Sequence, residues 1–201
     1  MLSPRLEVND PRRRRKTALW RMRCALGCAV LGMLALHVVQ AELDPLTEPI
    51  SFYVHGRGGW LLILSFTTFA AASLELSCMV VADRRRKRAL QGFALGMLVT
   101  AFVPSDLWFP WEQPPTWHGL VHAATAMAAP LLLLAPMYGG GSRERRPQAG
   151  FLVAYVGALF ACAVSLAVGF AQRGAPPYIG LAERMLALVA VAWIVFAVRR
   201  A

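Results

Sequence analysis

The sequence predicts an all-α integral membrane protein, a bundle of six transmembrane helices with both termini in the cytoplasm. Three observations lead to this prediction. Of the 201 residues, 57% are hydrophobic, whereas apolar residues make up only ~45–50% of an ordinary soluble domain. Six apolar runs approach the ~20 residues that a helix needs to cross the hydrocarbon core of a bilayer. The basic residues are concentrated in alternate connections between these runs.

The net charge of +10 does not indicate a nucleic-acid-binding protein, because Lys and Arg occur in short blocks between the apolar runs. Such blocks are typical of topology signals and of contacts with lipid headgroups. We therefore expect membrane lipids as partners and no nucleic acid, and the sequence leaves the oligomeric state open. The four cysteines lie within or beside apolar runs, so no disulfide framework is predicted.

The first 18 residues contain a basic run interrupted by proline and lack apolar periodicity. They predict a disordered, basic cytoplasmic tail, followed by a six-helix transmembrane domain over residues 19–201. The first apolar run is too long for the hydrophobic region of a signal peptide and has no small-x-small cleavage site. We therefore expect an uncleaved first span.

Each apolar run is predicted to be a helix, because backbone groups inside lipid have no water to bond. The six predicted spans are Trp20 to Ala41, Trp60 to Ala82, Ala89 to Phe109, Trp117 to Tyr138, Gly150 to Ala171 and Tyr178 to Val198. Pro104 in the third span, and Pro130 and Pro136 in the fourth, predict kinks, since proline leaves backbone carbonyls without a donor.

The orientation follows from the basic residues, of which 18 out of 21 fall in four segments. These segments are the N-terminal tail with the helix entry, the second-to-third connection, the fourth-to-fifth connection and the C-terminus. In a six-span protein they share one side, and the positive-inside rule makes that side the cytoplasm. We expect a multi-pass protein of the cell membrane, either an inner or a plasma membrane. The opposite loops are rich in aromatic residues, as expected for an interfacial belt.

Four sequence segments carry a recognisable pattern: DPLTEPISFYVHGRGGWLLILSF, FVPSDLWF, TWHGLVH and GLAERMLALVAVAW. Together they resemble a family of six-span prokaryotic membrane proteins known only as domain of unknown function 998. The resemblance implies a short outer loop with Ser51, a Phe-x-Pro-x-Asp ending of the third span at Asp106, a His-Gly-x-x-His start of the fourth span, and a Gly-x-x-Glu/Gln-Arg start of the sixth. It implies no particular activity.

A layer of polar residues near the outer ends of the helices is the predicted site. At a rise of ~1.5 Å per residue, its helical members lie within ~8 Å of those ends. The members are Asp106, His118, His122, Glu183 and Arg184, with Ser51 and His55 in the loop that leads into the layer. Our first hypothesis is a pocket that binds a lipid headgroup or closes the top of the bundle with mutual hydrogen bonds.

An alternative hypothesis is a metal-dependent membrane hydrolase that acts on a lipid or lipid-linked substrate. His118 and His122 are spaced i and i+4, which lets one helix offer two ligands to a divalent metal such as zinc. In this hypothesis Asp106 is a third ligand or a base, and Glu183 is a base. No glutamate lies between the two histidines, so the base has to come from another helix.

The remaining residues of the layer have roles around the substrate in the hydrolase hypothesis. Ser51 and His55 orient the substrate, and Arg184 neutralises a phosphate. The order of Ser51, His55, Asp106 and the fourth-span histidines resembles that of the zinc-site residues in alkaline ceramidases and progestin/adiponectin-type receptors. Those proteins have seven spans and place the second histidine pair on the last span.

Two further alternatives remain open. A small-solute or ion transporter would use Glu75, deep in the second span, although few polar residues connect it to the outer layer. A haem could be held by His37 and one fourth-span histidine. The sequence leaves the cofactor, the substrate and the question of catalysis undecided.

Overall fold

The computed structural model describes residues 11–79, 83–138 and 145–200. All regular structure in these ranges is helical, which confirms the predicted all-α class. The α-helices are α1 (Pro11–Val39), α2 (Trp60–Met79), α3 (Arg84–Phe102), α4 (Trp117–Leu132), α5 (Leu134–Tyr138), α6 (Arg145–Gln172) and α7 (Ile179–Arg200), and a 3₁₀ helix covers Ile50–His55.

Five segments within the described ranges are long and apolar enough to cross a membrane, which agrees with a multi-pass membrane protein. They are Arg13–Val39, Trp60–Met79, Trp117–Tyr138, Pro147–Gln172 and Ile179–Arg199. The third predicted span is not among them, because α3 begins in the basic block at residues 84–88 and ends at Phe102. Its apolar part is therefore shorter than the predicted run from Ala89 to Phe109.

Prolines explain where α3 and α4 end. Val103 precedes Pro104 and has an extended backbone, with φ −100° and ψ 111°, as expected because proline disfavours the α region for the residue before it. The predicted third helix was thus too long by residues 103–109. The break between α4 and α5 falls at Leu133, and Pro136 has no N–H for the carbonyl four residues earlier.

The N-terminal segment differs from the predicted tail. Helix α1 begins at Pro11, inside the segment predicted to be disordered, and residues 1–10 lie outside the described residues. Proline is well tolerated in the first turn of a helix, because the N–H that it lacks would have no partner there. The basic run therefore extends α1 beyond the predicted span.

Helices α1 to α4 pack in chain order, α6 packs on α7, and the short α5 contacts α3 and α6. A buried cluster including Met22, Leu76, Leu90 and Ile194 joins α1, α2, α3 and α7. Helices α3 and α4 approach closely at Gly96, where an added Cβ would lie 2.6 Å from the Cβ of Ala129. Small residues commonly allow such close contacts in membrane bundles.

The bundle has two chemically different ends. We name one the basic end; it contains the starts of α1, α3 and α6 and the end of α7. We name the other the aromatic end; it contains the connecting residues 40–59, 103–116 and 173–178. The polar residues predicted to form a site all lie at or near the aromatic end.

Candidate functional site

Two hydrogen-bonded groups at the aromatic end contain three of the predicted site residues, Asp106, His118 and Arg184. The first group, the arginine cluster, comprises His37, Tyr53 and Arg184, and the adjacent Glu183 bonds to the backbone N–H of Ile50. The second group, the aspartate cluster, comprises Asp106, Thr116 and His118. Both groups border one large cavity, to which each contributes lining residues.

Arg184, near the start of α7, forms hydrogen bonds that connect three parts of the chain. Its Nε donates to Nε2 of His37 at 2.8 Å, and its Nη2 donates to the hydroxyl of Tyr53 at 3.1 Å. Its Nη1 donates to the carbonyls of Glu48 at 3.0 Å and Gly180 at 2.8 Å. The guanidinium carbon also lies 5.4 Å from the ring centroid of Tyr53, which is fully buried.

These bonds restrict what Arg184 and His37 can offer a ligand. A guanidinium has five N–H groups, and four of them have protein acceptors here. His37 accepts from Arg184 at Nε2, so its proton is on Nδ1, which donates to the carbonyl of Met33 at 2.7 Å. Both ring nitrogens of His37 are therefore engaged, which leaves neither free to ligate a haem iron.

Glu183 fixes the loop that precedes α2. Its Oε2 accepts from the backbone N–H of Ile50 at 2.7 Å, and the N–H of Leu181 donates to the carbonyl of Leu46 at 3.0 Å. An added Cβ at Gly180 would lie only 2.7 Å from the carbonyl oxygen of Pro45, so a glycine permits this close approach of loop and helix. The second carboxylate oxygen of Glu183 takes no hydrogen bond from any described residue, and Glu183 lines the cavity.

The aspartate cluster is built around the start of α4. Thr116 donates its backbone N–H to Oδ2 of Asp106 at 3.0 Å and its hydroxyl to Oδ1 at 2.6 Å. The same hydroxyl caps α4 by accepting from the N–H of Gly119 at 3.1 Å, and it lies 3.0 Å from Nδ1 of His118. An added Cβ at Gly119 would overlap the carboxylate of Asp106. The Asp106 carboxylate is thus held by hydrogen bonds from Thr116 at the start of α4. It fits there because Gly119 has no side chain.

These contacts lower the pKa of Asp106. The largest cause is the hydrogen bond from the Thr116 hydroxyl, and the Thr116 backbone N–H and the positive charges of His118 and His55, when protonated, act in the same direction. Burial opposes them, since the Asp106 side chain is only 8% exposed. The carboxylate is therefore ionised at neutral pH.

We expect Asp106→Asn to destabilise the protein at neutral pH by ~1–3 kcal/mol, because an amide cannot accept both bonds from Thr116. The lowered pKa means that the wild-type carboxylate stabilises the fold above its unfolded-state pKa of ~3.9 and loses this effect as the pH falls through the folded-state value. Unfolding in mixed micelles, measured from pH 7 to pH 3, should give a difference between the two proteins that shrinks below pH ~4. A difference that stays constant over this range would contradict the assignment.

His55 and His122 bond to the loop that follows α3. Nε2 of His55 donates to the carbonyl of Ser105 at 2.8 Å, and Nδ1 of His122 donates to the carbonyl of Val103 at 2.6 Å. The loop carbonyls of residues 103 and 105 no longer belong to a helix and therefore need such donors. This bond leaves Nε2 of His122 as an acceptor without a partner among the described residues, and His122 lines the cavity.

The predicted metal site of His118, His122 and Asp106 stays a prediction. Nδ1 of His118 lies 3.9 Å from Oδ1 of Asp106, whereas Nδ1 of His122 is bonded to a backbone carbonyl. Across residues 11–79, 83–138 and 145–200, no group of three or more His, Cys, Asp or Glu side chains is arranged to hold a metal ion. A metal would require side-chain rearrangement.

Ser51 lies in the 3₁₀ helix between α1 and α2 and lines the cavity. Its carbonyl accepts from the hydroxyl of Ser105 at 3.3 Å. Glu75, the residue considered for transport, lies on α2 toward the basic end and pairs with Arg21 of α1, with 2.9 Å between Oε1 and Nε. Glu75 therefore does not belong to this site.

The cavity has a volume of ≈ 980 Å³ and extends from the two clusters into the bundle. Its wall along α7 runs from Glu183 to Val191, a distance of ~12 Å at the helical rise per residue. The deeper lining is apolar and includes Phe69, Phe93 and Met97. Most of the polar lining groups therefore lie near the aromatic end, and the hydroxyl of Tyr155, deeper in the cavity, bonds to the carbonyl of Pro130 at 3.1 Å.

Trp108 is a lining residue that the sequence assigned only to the aromatic belt. Its indole Nε1 is buried and has no acceptor among the described residues, although Trp108 borders the cavity. The neighbouring Trp111 differs, because its Nε1 donates to the carbonyl of Gly174 at 3.0 Å and its ring stacks on Phe109 with 5.1 Å between centroids. In the sequence, the only feature that indicated a place for Trp108 in the site was its position two residues after Asp106.

Comparison with known proteins identifies a protein family. No curated protein and no solved structure matches this chain. The family model described as "Protein of unknown function (DUF998)" matches residues 24–200. This range covers most of the chain, including both clusters and the cavity, and it agrees with the resemblance carried by the four sequence segments. The chain belongs to the DUF998 family.

Proposed function

We propose that this protein binds a membrane amphiphile, with the hydrocarbon part in the cavity and the polar headgroup beside the two clusters. The cavity itself is the observation that carries the proposal. Its volume of ≈ 980 Å³ is at the upper end of the ~300–1,000 Å³ range of ligand sites. A largely apolar space with most of its polar groups near one end suits a molecule whose own polarity is divided in the same way.

Three unsatisfied atoms mark where the headgroup binds. Oε1 of Glu183 and Nε2 of His122 are acceptors, and Nε1 of Trp108 is a donor, with no partners among the described residues. Of these three atoms, Nε1 of Trp108 is the buried one. Burying a polar group without a partner costs ~1–3 kcal/mol, so a ligand that accepts from this donor gains affinity. Two acceptors and one donor favour a headgroup with O–H or N–H groups and at least one acceptor oxygen.

The other polar residues of the site close the end of the bundle. Most hydrogen-bonding groups of these residues bond to one another or to the backbone. The residues are Arg184, Asp106, Thr116 and His37. In this proposal they hold the loops above the cavity, and the headgroup contacts only their remaining groups. The earlier alternatives of lipid binding and bundle capping thus become two parts of one site.

We further propose that α3 is a sixth crossing and that both termini are cytoplasmic. Helix α3 packs between α2 and α4, both of which are long and apolar enough to span. The arginines at its start can extend toward the headgroups, so a short apolar stretch suffices. Because the basic end carries most Lys and Arg, the positive-inside rule places it in the cytoplasm of a cell or inner membrane and places the cavity's polar end in the outer leaflet.

Hydrolysis and transport remain alternatives that no contact within the described residues favours. A hydrolase would need His118 and His122 to turn toward a common metal. A transporter would need a polar route from the site to Glu75, and the carboxylate of Glu75 is already paired with Arg21. The binding proposal needs neither change.

We expect Trp108→Phe to weaken amphiphile binding without lowering the stability of the empty protein. The substitution keeps an aromatic ring but removes the one buried side-chain donor that lines the cavity and has no acceptor among the described residues. Loss of one hydrogen bond corresponds to ~5-fold weaker binding. The measurement is the rise in thermal midpoint of delipidated, detergent-solubilised protein on addition of phosphatidylethanolamine, compared with phosphatidylcholine, whose choline group has no N–H.

Trp111→Phe is the matched control, because the Nε1 of Trp111 already bonds to Gly174. This variant should lower the thermal midpoint of the empty protein by ~2–4 °C and keep the full rise with phosphatidylethanolamine. If Trp108→Phe keeps the full rise, or if phosphatidylcholine is as effective as phosphatidylethanolamine, the proposed headgroup contacts are wrong.

A further inference from the structure

A second large groove lies at the basic end, between the start of α1 and the end of α2. It has a volume of ≈ 960 Å³. Its lining from α1 comprises Arg13, Arg14, Arg15, Thr17, Ala18 and Arg21, and its lining from α2 comprises Ala71, Leu74, Glu75, Cys78 and Met79. This groove shares no residue with the cavity at the aromatic end.

The charges that line the groove are strongly unbalanced. Four arginines and one glutamate give it a net charge of +3. The glutamate, Glu75, is neutralised by Arg21, whose Nε lies 2.9 Å from Oε1 and whose Nη2 lies 3.4 Å from Oε2. Arg13 and Arg15 are exposed, and neither has an acidic partner among the described residues. The groove therefore presents guanidinium groups that attract an anion.

The other lining residues give the groove an apolar side. Ala18 lies about one turn deeper than Arg13 and Arg15 on α1, and Leu74 and Ala71 lie at the level of Glu75 and one turn deeper on α2. Leu74 is 39% exposed. The Arg21–Glu75 pair marks the boundary between the basic opening and this apolar side. An anion bound at the arginines is thus next to two helices that are long and apolar enough to cross a membrane.

We propose that this groove binds the phosphate group of an anionic phospholipid, with an acyl chain along Leu74. Guanidinium groups bind phosphate oxygens through paired, charge-assisted hydrogen bonds, and basic pockets between transmembrane helices are suited to anionic headgroups. A phosphate in solution has the same oxygen chemistry, but it would not use the apolar side. The proposal is independent of the amphiphile site at the aromatic end.

The test uses the full-length protein in detergent micelles, with phosphatidylglycerol, phosphatidylcholine or inorganic phosphate added in separate titrations. Phosphatidylglycerol should raise the thermal midpoint, whereas phosphatidylcholine and inorganic phosphate at the same concentrations should have little effect. The double variant Arg13→Gln/Arg15→Gln should require roughly 30-fold more phosphatidylglycerol for the same rise. Arg21 is kept, because it holds Glu75.

The matched control is Arg85→Gln/Arg88→Gln, which removes two exposed charges from the start of α3 at the same end of the bundle but outside the groove. It should respond to phosphatidylglycerol as the wild type does. An equal loss in both double variants would overturn the proposal, since only the overall charge would then matter. A rise with inorganic phosphate as large as that with phosphatidylglycerol would overturn the assignment to a lipid.

Discussion

Arg184→Ala should destabilise the protein more than any other single substitution at the site, with a loss of ~3–5 kcal/mol. The substitution removes four hydrogen bonds, of which three join α7 to His37 of α1, to Tyr53 and to the loop carbonyl of Glu48. The fourth is made to Gly180 within α7. It also leaves the hydroxyl of the fully buried Tyr53 without this partner. Unfolding by SDS titration in mixed micelles measures the loss directly.

Two variants make the Arg184 prediction specific. Arg184→Lys keeps the charge but replaces a planar fork of donors by a single ammonium, so it should recover only part of the lost stability. Arg173→Ala removes an exposed arginine at the same end of the bundle and should change stability by less than ~0.5 kcal/mol. If Arg184→Ala is as mild as Arg173→Ala, the arginine cluster does not hold the loops together.

Gly119→Ala should also be among the most damaging substitutions at the site, with a loss of ~1–3 kcal/mol. Alanine normally favours a helix over glycine by ~1 kcal/mol, but an added Cβ at position 119 would overlap the carboxylate of Asp106. Asp106 would have to leave Thr116, and the cap of α4 would be disturbed with it. The thermal midpoint in detergent should fall.

Gly157→Ala is the control for this prediction, because an added Cβ at Gly157 meets no atom within 4 Å. The same change in the middle of α6 should stabilise the protein slightly through helix propensity. The two substitutions should therefore act in opposite directions. A stabilising Gly119→Ala would mean that Asp106 is not packed against the start of α4.

The sequence predicted the helical fold and the location of the polar residues, because both depend on local patterns. Apolar runs predict spans through the length of the hydrocarbon core, and Asp106, His118 and Glu183 were predicted at one end from their distances along their helices. The predicted length of α3 was wrong. The apolar run continues past Pro104, so hydropathy predicts a longer span, whereas the proline ends the helix at Phe102.

The partners of the polar residues were not predictable, because they lie far apart in the chain. Arg184 was assigned to a phosphate, yet 147 and 131 positions separate it from His37 and Tyr53, to which it donates. The Thr116 bridge between Asp106 and His118 depends on the path of a proline-rich loop. The cavity depends on how all the helices pack, and so the role of Trp108 could not be separated from that of other interfacial aromatics.

The cavity also offers a position at which occupancy can be blocked. Ala126 of α4 lines it, whereas Ala128 on the same helix is exposed and lies outside the lining. Ala126→Phe should fill part of the space that an amphiphile would use. Ala128→Phe adds the same volume on the exposed face and should leave the cavity unchanged.

Native mass spectrometry of the protein released from its detergent micelle tests the proposed amphiphile site most directly. Wild type and Ala128→Phe should each retain a bound lipid after the detergent has been removed by collisional activation, and Ala126→Phe should appear mainly as the bare chain. Equal lipid retention by all three proteins, or bare protein in all three spectra, would contradict the proposal that the cavity holds an amphiphile.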